Sequence, residues 1–235
     1  MALQNTYDQC ADEYVRWTRT RHEANLAGAS FSAPFLELIG DVNGLRVLDA
    51  GCGEGWLSRA LNARGAAVVG IDVATRLIEA ARTADPDGAI DFQTRDLSHP
   101  LPEFESRFDL VVSYMVLNDV PDHLGFIATI GAVTKPRGRA VLAVNNPYSA
   151  VIRGKVDSYF DSGTASVYQG LSSHGVRVYY YHRTMEQYVN AFRDQGFVLR
   201  TLHDIPPSED MPVDAARATT WRQGPHVMVL EFIKT

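Results

Sequence analysis

The sequence predicts an α/β fold, a mostly parallel sheet covered by helices on both faces. Three observations carry that prediction. Beyond residue 46, apolar runs of four to six residues alternate with segments of helical spacing, the rhythm of strands buried between crossover helices. One of these runs reaches Asp49 and passes through Gly51, Gly53 and Gly55 directly into a helix. The next ends in a second carboxylate, Asp72, 21 positions after Gly51.

The elements follow in order. Residues 6–27 read as a weakly amphipathic helix carrying Tyr7, Cys10, Tyr14, Trp17 and His22. A second, short helix starts with Ser32 as N-cap and Pro34 in its first turn, and ends near residue 39. Strands are expected at 46–50, 67–71, 89–92, 108–113 and 139–144, with helices at 56–64, 75–84 and 123–133, and Gly65 as a C-terminal cap. The rhythm breaks over 147–175, a stretch rich in Ser, Gly, Tyr and Asp with no clear period. A connection that long is a lid, a binding loop or missed structure. A strand resumes at 176–182, and Thr184-Met185-Glu186-Gln187 is a capping-box start to a helix ending at Gly196. Strands at 197–203 and 226–233 follow, joined by a loop containing Pro206, Pro207 and Pro212.

Composition excludes several classes of protein. The 235 residues are 46% hydrophobic and 21% charged, which rules out wholesale disorder. Cys10 and Cys52 are too few for a disulfide framework or a cysteine-built zinc site, and no metal is expected. A net charge of −6 without a Lys or Arg cluster argues against nucleic acid or an anionic membrane as the main partner. No signal peptide is visible, and no apolar stretch reaches the roughly 18–20 residues a membrane span needs. The expectation is a soluble cytoplasmic protein, monomer or homodimer, acting on a small molecule.

Glycines without side chains bring backbone N–H groups close to a ligand at the carboxyl edge of the sheet. Such a turn also serves as an ordinary tight connection, and Asp72 also suits the N-cap of the next helix. At that position an acidic group can accept both hydroxyls of a ribose. The spacing is G-x-G-x-G followed by Trp56, not the G-x-G-x-x-G of dinucleotide binders. A nicotinamide-dependent oxidoreductase is therefore disfavoured.

In order and spacing, these residues resemble the class I S-adenosylmethionine-dependent methyltransferases of small-molecule type. The resemblance rests on Val47-Leu48-Asp49-Ala50-Gly51-Cys52-Gly53-Glu54-Gly55, Gly70-Ile71-Asp72, Arg95-Asp96-Leu97, the run Phe108–Leu117 and Pro136-Arg137-Gly138-Arg139. It covers about residues 44–145, and more weakly Tyr181-His182-Arg183-Thr184 through Gly196-Phe197. It implies a Rossmann-like, seven-stranded, mostly parallel sheet with an antiparallel last strand. The chain then reads as one domain: an N-terminal helical cap (1–43), a cofactor-binding core (44–146), a lid-like insertion after the fifth strand (147–183) and a C-terminal completion of the sheet (184–235).

The resemblance also implies roles for individual residues. Asp49, Gly51, Cys52 and Gly53 would sit by the methionine half of S-adenosylmethionine, and Asp72 by its ribose hydroxyls. Val73, the Asp96 side chain and the Leu97 backbone would bind adenine. Ser113 and Tyr114 would lie beside the sulfonium and the substrate, and Tyr14 would close over the methionine carboxylate.

The expected activity is methyl transfer to an oxygen or nitrogen, less readily a carbon, of an apolar or aromatic small molecule, because residues 148–188 are rich in Tyr and Phe. Tyr114, Asn118, Asn146, Tyr180 and His182 are the candidate substrate residues. His182 is the expected general base, since it ends a strand and its imidazole titrates near neutrality. His174, Asn118, Asp119 and Asn146 stand behind it. A protein of the same fold that binds the cofactor without methyl transfer, or catalyses another reaction, is the alternative.

Overall fold

The computed structural model describes residues 6–23, 29–163, 165–168, 178–206 and 224–235. The helix expected over 6–27 is broken at Cys10 into α1 (Thr6–Gln9) and α2 (Ala11–Glu23). Helix α3 (Ala29–Ile39) begins a turn before Ser32 and holds Pro34 inside it. Ser32 is buried within the helix and is not its N-cap, because Phe31 already packs on the core.

The central sheet contains β1 (Arg46–Ala50), β2 (Ala67–Asp72), β3 (Asp91–Thr94), β4 (Phe108–Tyr114), β5 (Thr134–Asn145), β8 (Phe197–Ile205) and β9 (Val227–Lys234). Their order is β3-β2-β1-β4-β5-β9-β8. Strands β1 to β5 run parallel, and β9 is antiparallel to both of its neighbours. The seven-stranded, mostly parallel sheet with an antiparallel last strand is as expected. Between the strands lie α4 (Trp56–Asn62), α5 (Thr75–Thr83), α6 (His123–Val133), α7 (Pro147–Ile152) and α8 (Met185–Arg193). A separate two-stranded ribbon pairs β6 (Ala165–Tyr168) with β7 (Val178–Tyr181).

Period-two alternation divides the core between the two faces. Val47, Val68, Leu110 and Val141 pack against α3, α4 and α5. Leu48, Val69, Val111 and Leu142 pack against α6 and α8. Far from the carboxyl edge, Phe192 of α8 stacks on Phe232 of β9 at 4.2 Å.

Two readings left open by the sequence are decided here. Of the alternatives for 147–175, its described residues show structure that the spacing missed, and 164 and 169–175 lie outside the described residues. Asn146 caps α7 by accepting from the Tyr148 N–H, Pro147 occupies a first-turn position that needs no donor, and β6 follows. Asp72 is not the N-cap of α5, which is Ala74; its carboxylate instead spans the glycine turn and Ala74, as described below. The capping box at Thr184 is present, with Thr184 Oγ1 accepting from Gln187 N–H and Gln187 Oε1 accepting from Thr184 N–H.

Candidate functional site

The site is built where the parallel strands end. After β1 the chain turns through three glycines with positive φ, Gly51 at 82°, Gly53 at 53° and Gly55 at 82°, angles that side-chain-bearing residues seldom adopt. The turn is stitched to β2, because Gly51 and Cys52 both donate N–H to the Ile71 carbonyl at 2.8 and 3.0 Å. At Gly51 a Cβ would lie 2.5 Å from the Val116 methyls. Met115, directly before Val116, has a φ of 61°.

Carboxylates hold this turn from beneath and from the side. Asp49 is buried, and the Ser58 hydroxyl donates to its Oδ2 at 2.6 Å. Burial pushes Asp49 up to about 7, with the Ser58 hydrogen bond opposing. Asp72 accepts from Gly53 N–H at Oδ2 and from Ala74 N–H at Oδ1, each at 2.8 Å. Burial raises the Asp72 carboxyl, and those two N–H groups act against the rise. Asp96, after β3, accepts from Ser98 N–H at 2.9 Å.

A cavity of about 480 Å³ opens over these strand ends. Tyr14, Gly51, Gly53, Asp72, Val73, Asp96, Leu97 and Tyr114 all line it. Asp49, Cys52 and Ser113 stand behind its lining. Cys52 is buried, and burial raises its thiol. Ser113 Oγ donates to the Ala50 carbonyl at 2.8 Å, tying β4 to the end of β1.

The substrate residues expected from sequence divide sharply. Tyr114 is in the cavity wall, edge-on to Trp56 at 5.1 Å. Asn118, Asn146, Tyr180 and His182 are not in that wall and are nearly or fully buried. Asn118 donates to the Tyr188 hydroxyl and accepts from Asn145 N–H. Asn146 donates to Asp204 Oδ1 at 2.7 Å besides capping α7. Tyr180 lies beneath the Lys155 ammonium, 5.0 Å from its ring. His182 Nε2 stands 2.8 Å from the Tyr159 carbonyl, so Nε2 carries the proton and Nδ1 has no partner among the described residues. The expected base therefore faces Tyr159, not the cavity. His174 lies outside the described residues.

Two side chains take more prominent places than the sequence suggested. Tyr7 and Asp119 both line the cavity, and the Tyr7 hydroxyl donates to Asp119 Oδ2 at 2.6 Å. Burial pushes Asp119 up to about 7, while the Tyr7 hydrogen bond and the Lys155 and Arg183 cations pull it down. Tyr7 is raised well above the usual phenol range by burial and then by Asp119. Tyr7 and Tyr14 are seven residues apart, two helical turns, and their rings meet edge to face at 5.3 Å. That spacing is the signal that could have marked Tyr7. Arg76 of α5 anchors this N-terminal segment by donating to Asp8 and Asp12.

The comparisons with known proteins point the same way. A family described as a methyltransferase domain matches residues 48–142. A ubiquinone biosynthesis O-methyltransferase from Leptothrix cholodnii is 34% identical over 113 residues, 47% of this chain and 48% of that protein. The chain spans about half the length of the curated relatives it matches. The crystal structure of an S-adenosylmethionine-dependent methyltransferase from Mesorhizobium loti has a TM-score of 0.71 and 25% identity, covering 88% of this chain and 99% of that one. The magnesium protoporphyrin IX methyltransferase of Synechocystis, crystallised with SAH bound, shares the fold at a TM-score of 0.66 and 17% identity, covering 100% of both chains.

Proposed function

We propose that this chain, with its methyltransferase domain over 48–142 and its fold, is a class I S-adenosylmethionine-dependent methyltransferase that transfers a methyl group to a hydroxyl oxygen of a small molecule. One observation carries this reading: the ends of β1, β2, β3 and β4 meet in one cavity whose floor is the glycine turn clamped by Asp72. The oxygen acceptor is supported by the relatives named as O-methyltransferases. Among the described residues, the Tyr and Phe side chains of 148–188 do not reach the cavity lining; Tyr7, Tyr14, Tyr114 and Phe126, which do, suit an apolar or aromatic molecule. Action as a monomer or homodimer on a small molecule is part of this proposal, and the −6 charge suits neither nucleic acid nor an anionic membrane. Among the described residues no helix is long and apolar enough to cross a membrane. We place the protein in the cytoplasm.

The residues present fit the cofactor. At Gly51 only a hydrogen fits beneath Val116, whose methyls lie 2.5 Å from where a Cβ would stand, and at Gly53, beside the Tyr14 ring at 3.8 Å, the φ of 53° favours glycine; both backbones line the cavity. Gly51, Gly53 and Tyr14 would hold the methionine half, Asp72 the ribose hydroxyls, and Val73, Asp96 and Leu97 the adenine. Asp49 and Ser113 would support the turn from behind. When bound, S-adenosylmethionine supplies a methyl group on a positively charged sulfur. The chain supplies position, which accounts for several kcal/mol of barrier lowering. Tyr114, backed edge-on by Trp56, would present an aromatic ring to a cation in the cavity without the ground-state trap of a direct anion.

Asp119 replaces His182 as the proposed proton acceptor. It lines the cavity, titrates near neutrality, and its Oδ1 has no hydrogen bond among the described residues while Oδ2 holds Tyr7. Calorimetric titration with S-adenosylmethionine, S-adenosylhomocysteine and NAD tests the first part of the reading. Tight binding of the first two and none of the third is expected. Mass spectrometry over hydroxylated aromatics, amines and acids then looks for a product heavier by one methylene, expected from the hydroxyl compounds. Binding of the cofactor without a product from any of them would favour the non-transferring alternative.

A further inference from the structure

The run Tyr181–Thr184 resembles part of small-molecule methyltransferases, yet His182 and the neighbouring Tyr180 do not reach the cavity lining. What the run does is visible at its other end. Arg183 is buried, and its guanidinium donates from Nη1 to the Leu117 carbonyl at 2.7 Å and from Nη2 to the carbonyls of Val120 at 2.5 Å and Pro121 at 3.2 Å. Among the described residues Arg183 forms no ion pair within 4.0 Å. The acceptors bracket Asp119, and Asp119, Val120 and Pro121 all line the cavity. The neighbours of Arg183 grip the same loop: Tyr181 donates N–H to the Asn118 carbonyl at 2.7 Å, and the Tyr188 hydroxyl accepts from Asn118 Nδ2 at 2.9 Å. The Tyr181 ring lies 5.4 Å from the Arg183 guanidinium carbon.

We propose that Arg183 is a positioning residue for the reaction: its planar fork on the carbonyls at 117, 120 and 121 sets where Asp119 stands in the cavity. The inference rests on the reading of Asp119 as proton acceptor. A guanidinium suits the task because its rigid donors reach several carbonyls at once, whereas an ammonium is a single point charge. The cation also favours the carboxylate form of Asp119. Asp119 is faced as well by Tyr7 and Tyr14 from the N-terminal helices, Asp72 from the end of β2, Lys155 after α7, Tyr180 from β7 and Tyr188 from α8. Tyr7, Lys155 and Arg183 hold Asp119 down, and Asp72 pushes it up.

The test compares wild type with Arg183→Met and Arg183→Lys, using ¹³C NMR titration of the Asp119 carboxyl in the free protein and the pH profile of methyl transfer. The Asp119 signal is assigned with Asp119→Asn. In Arg183→Met the Asp119 midpoint should move to higher pH by about half a unit or more. The acidic limb of kcat/KM should follow it, and kcat should fall roughly tenfold to a hundredfold as the carboxyl loses its place. In Arg183→Lys the midpoint should return toward wild type while kcat stays low, because one nitrogen lacks the spread of Nη1 and Nη2, which reach the carbonyls at 117 and at 120 and 121 together. If Arg183→Met does not fold, the lysine variant decides, and wild-type kcat there overturns the proposal. An unmoved Asp119 midpoint in a folded Arg183→Met protein overturns it too. Full turnover in Asp119→Asn would instead defeat the proton-acceptor reading, and the carboxyl titration would still report whether Arg183 governs Asp119.

Discussion

The turns after β1 and β2 and the run 180–188 are both conspicuous in the sequence, yet they do different work. In the first region Gly51, Gly53 and Asp72 stand at or just beyond the carboxyl ends of adjacent parallel strands, and the topology alone brings them to one cavity. In the second, the strand is β7 of a separate ribbon paired with β6; Tyr180 lies on it, and His182 directly follows it instead of ending it. Their side chains are buried against Lys155 and Tyr159 rather than in the cavity wall. The second region contributes by holding the loop that carries Asp119. The strand ends of the main sheet thus supply the cavity wall, and the end of the satellite ribbon does not.

The largest effect expected from this contrast is on turnover. Asp119→Asn should lower kcat by roughly 10²–10⁴-fold with cofactor affinity largely kept, and should abolish the ionisation near pH 7 in the rate profile. Kinetics across pH 5–9 would show it, and a retained ionisation would return the base role to another group. Gly51→Val should cost roughly a hundredfold or more in S-adenosylmethionine affinity, since its Cβ meets Val116 at 2.5 Å and φ is 82°. Unchanged calorimetric affinity in a folded variant would remove the glycine turn from the site.

Asp72→Ala should weaken cofactor binding by about tenfold to a hundredfold. It should also lower the apo melting temperature, because Gly53 and Ala74 lose their acceptor. His182→Ala sharpens the comparison from the other side. It should change turnover by less than about tenfold and cost about 2 kcal/mol of stability, the mark of a buried packing residue. A turnover loss of the size expected for Asp119→Asn would put His182 back in the site.

The smallest effect is on stability against pH. Folded Asp49 and Asp119 both titrate near 7, and in the unfolded chain they return to about 4. Between those values the folded state holds protons that the unfolded state has released. Their contribution to stability therefore falls as pH rises from about 4 to about 7, and is level above that. Thermal melts should show a melting temperature a few degrees higher near pH 5.5 than near pH 8, a difference that Asp49→Asn reduces.

The alternation of strands and helices over 46–144, the glycine turn and the carboxylate at 72 were readable from local chemistry: apolar spacing, a glycine where φ is positive, a carboxylate at a strand end. The antiparallel last strand and the place of Asp96 came from the family resemblance alone. Helix α7 was missed because six residues opened by Pro147 are too short to show a period. The pairing of Tyr7 with Asp119, 112 positions apart, was decided only when α1 and α2 packed over α5 and the loop after β4. So too was the inward burial of His182 and the grip of Arg183 on the carbonyls around Asp119. Sequence spacing specifies which face of its own element a side chain occupies. What that face meets depends on how the elements pack, and a buried donor or carboxylate takes whichever partner packing brings within reach.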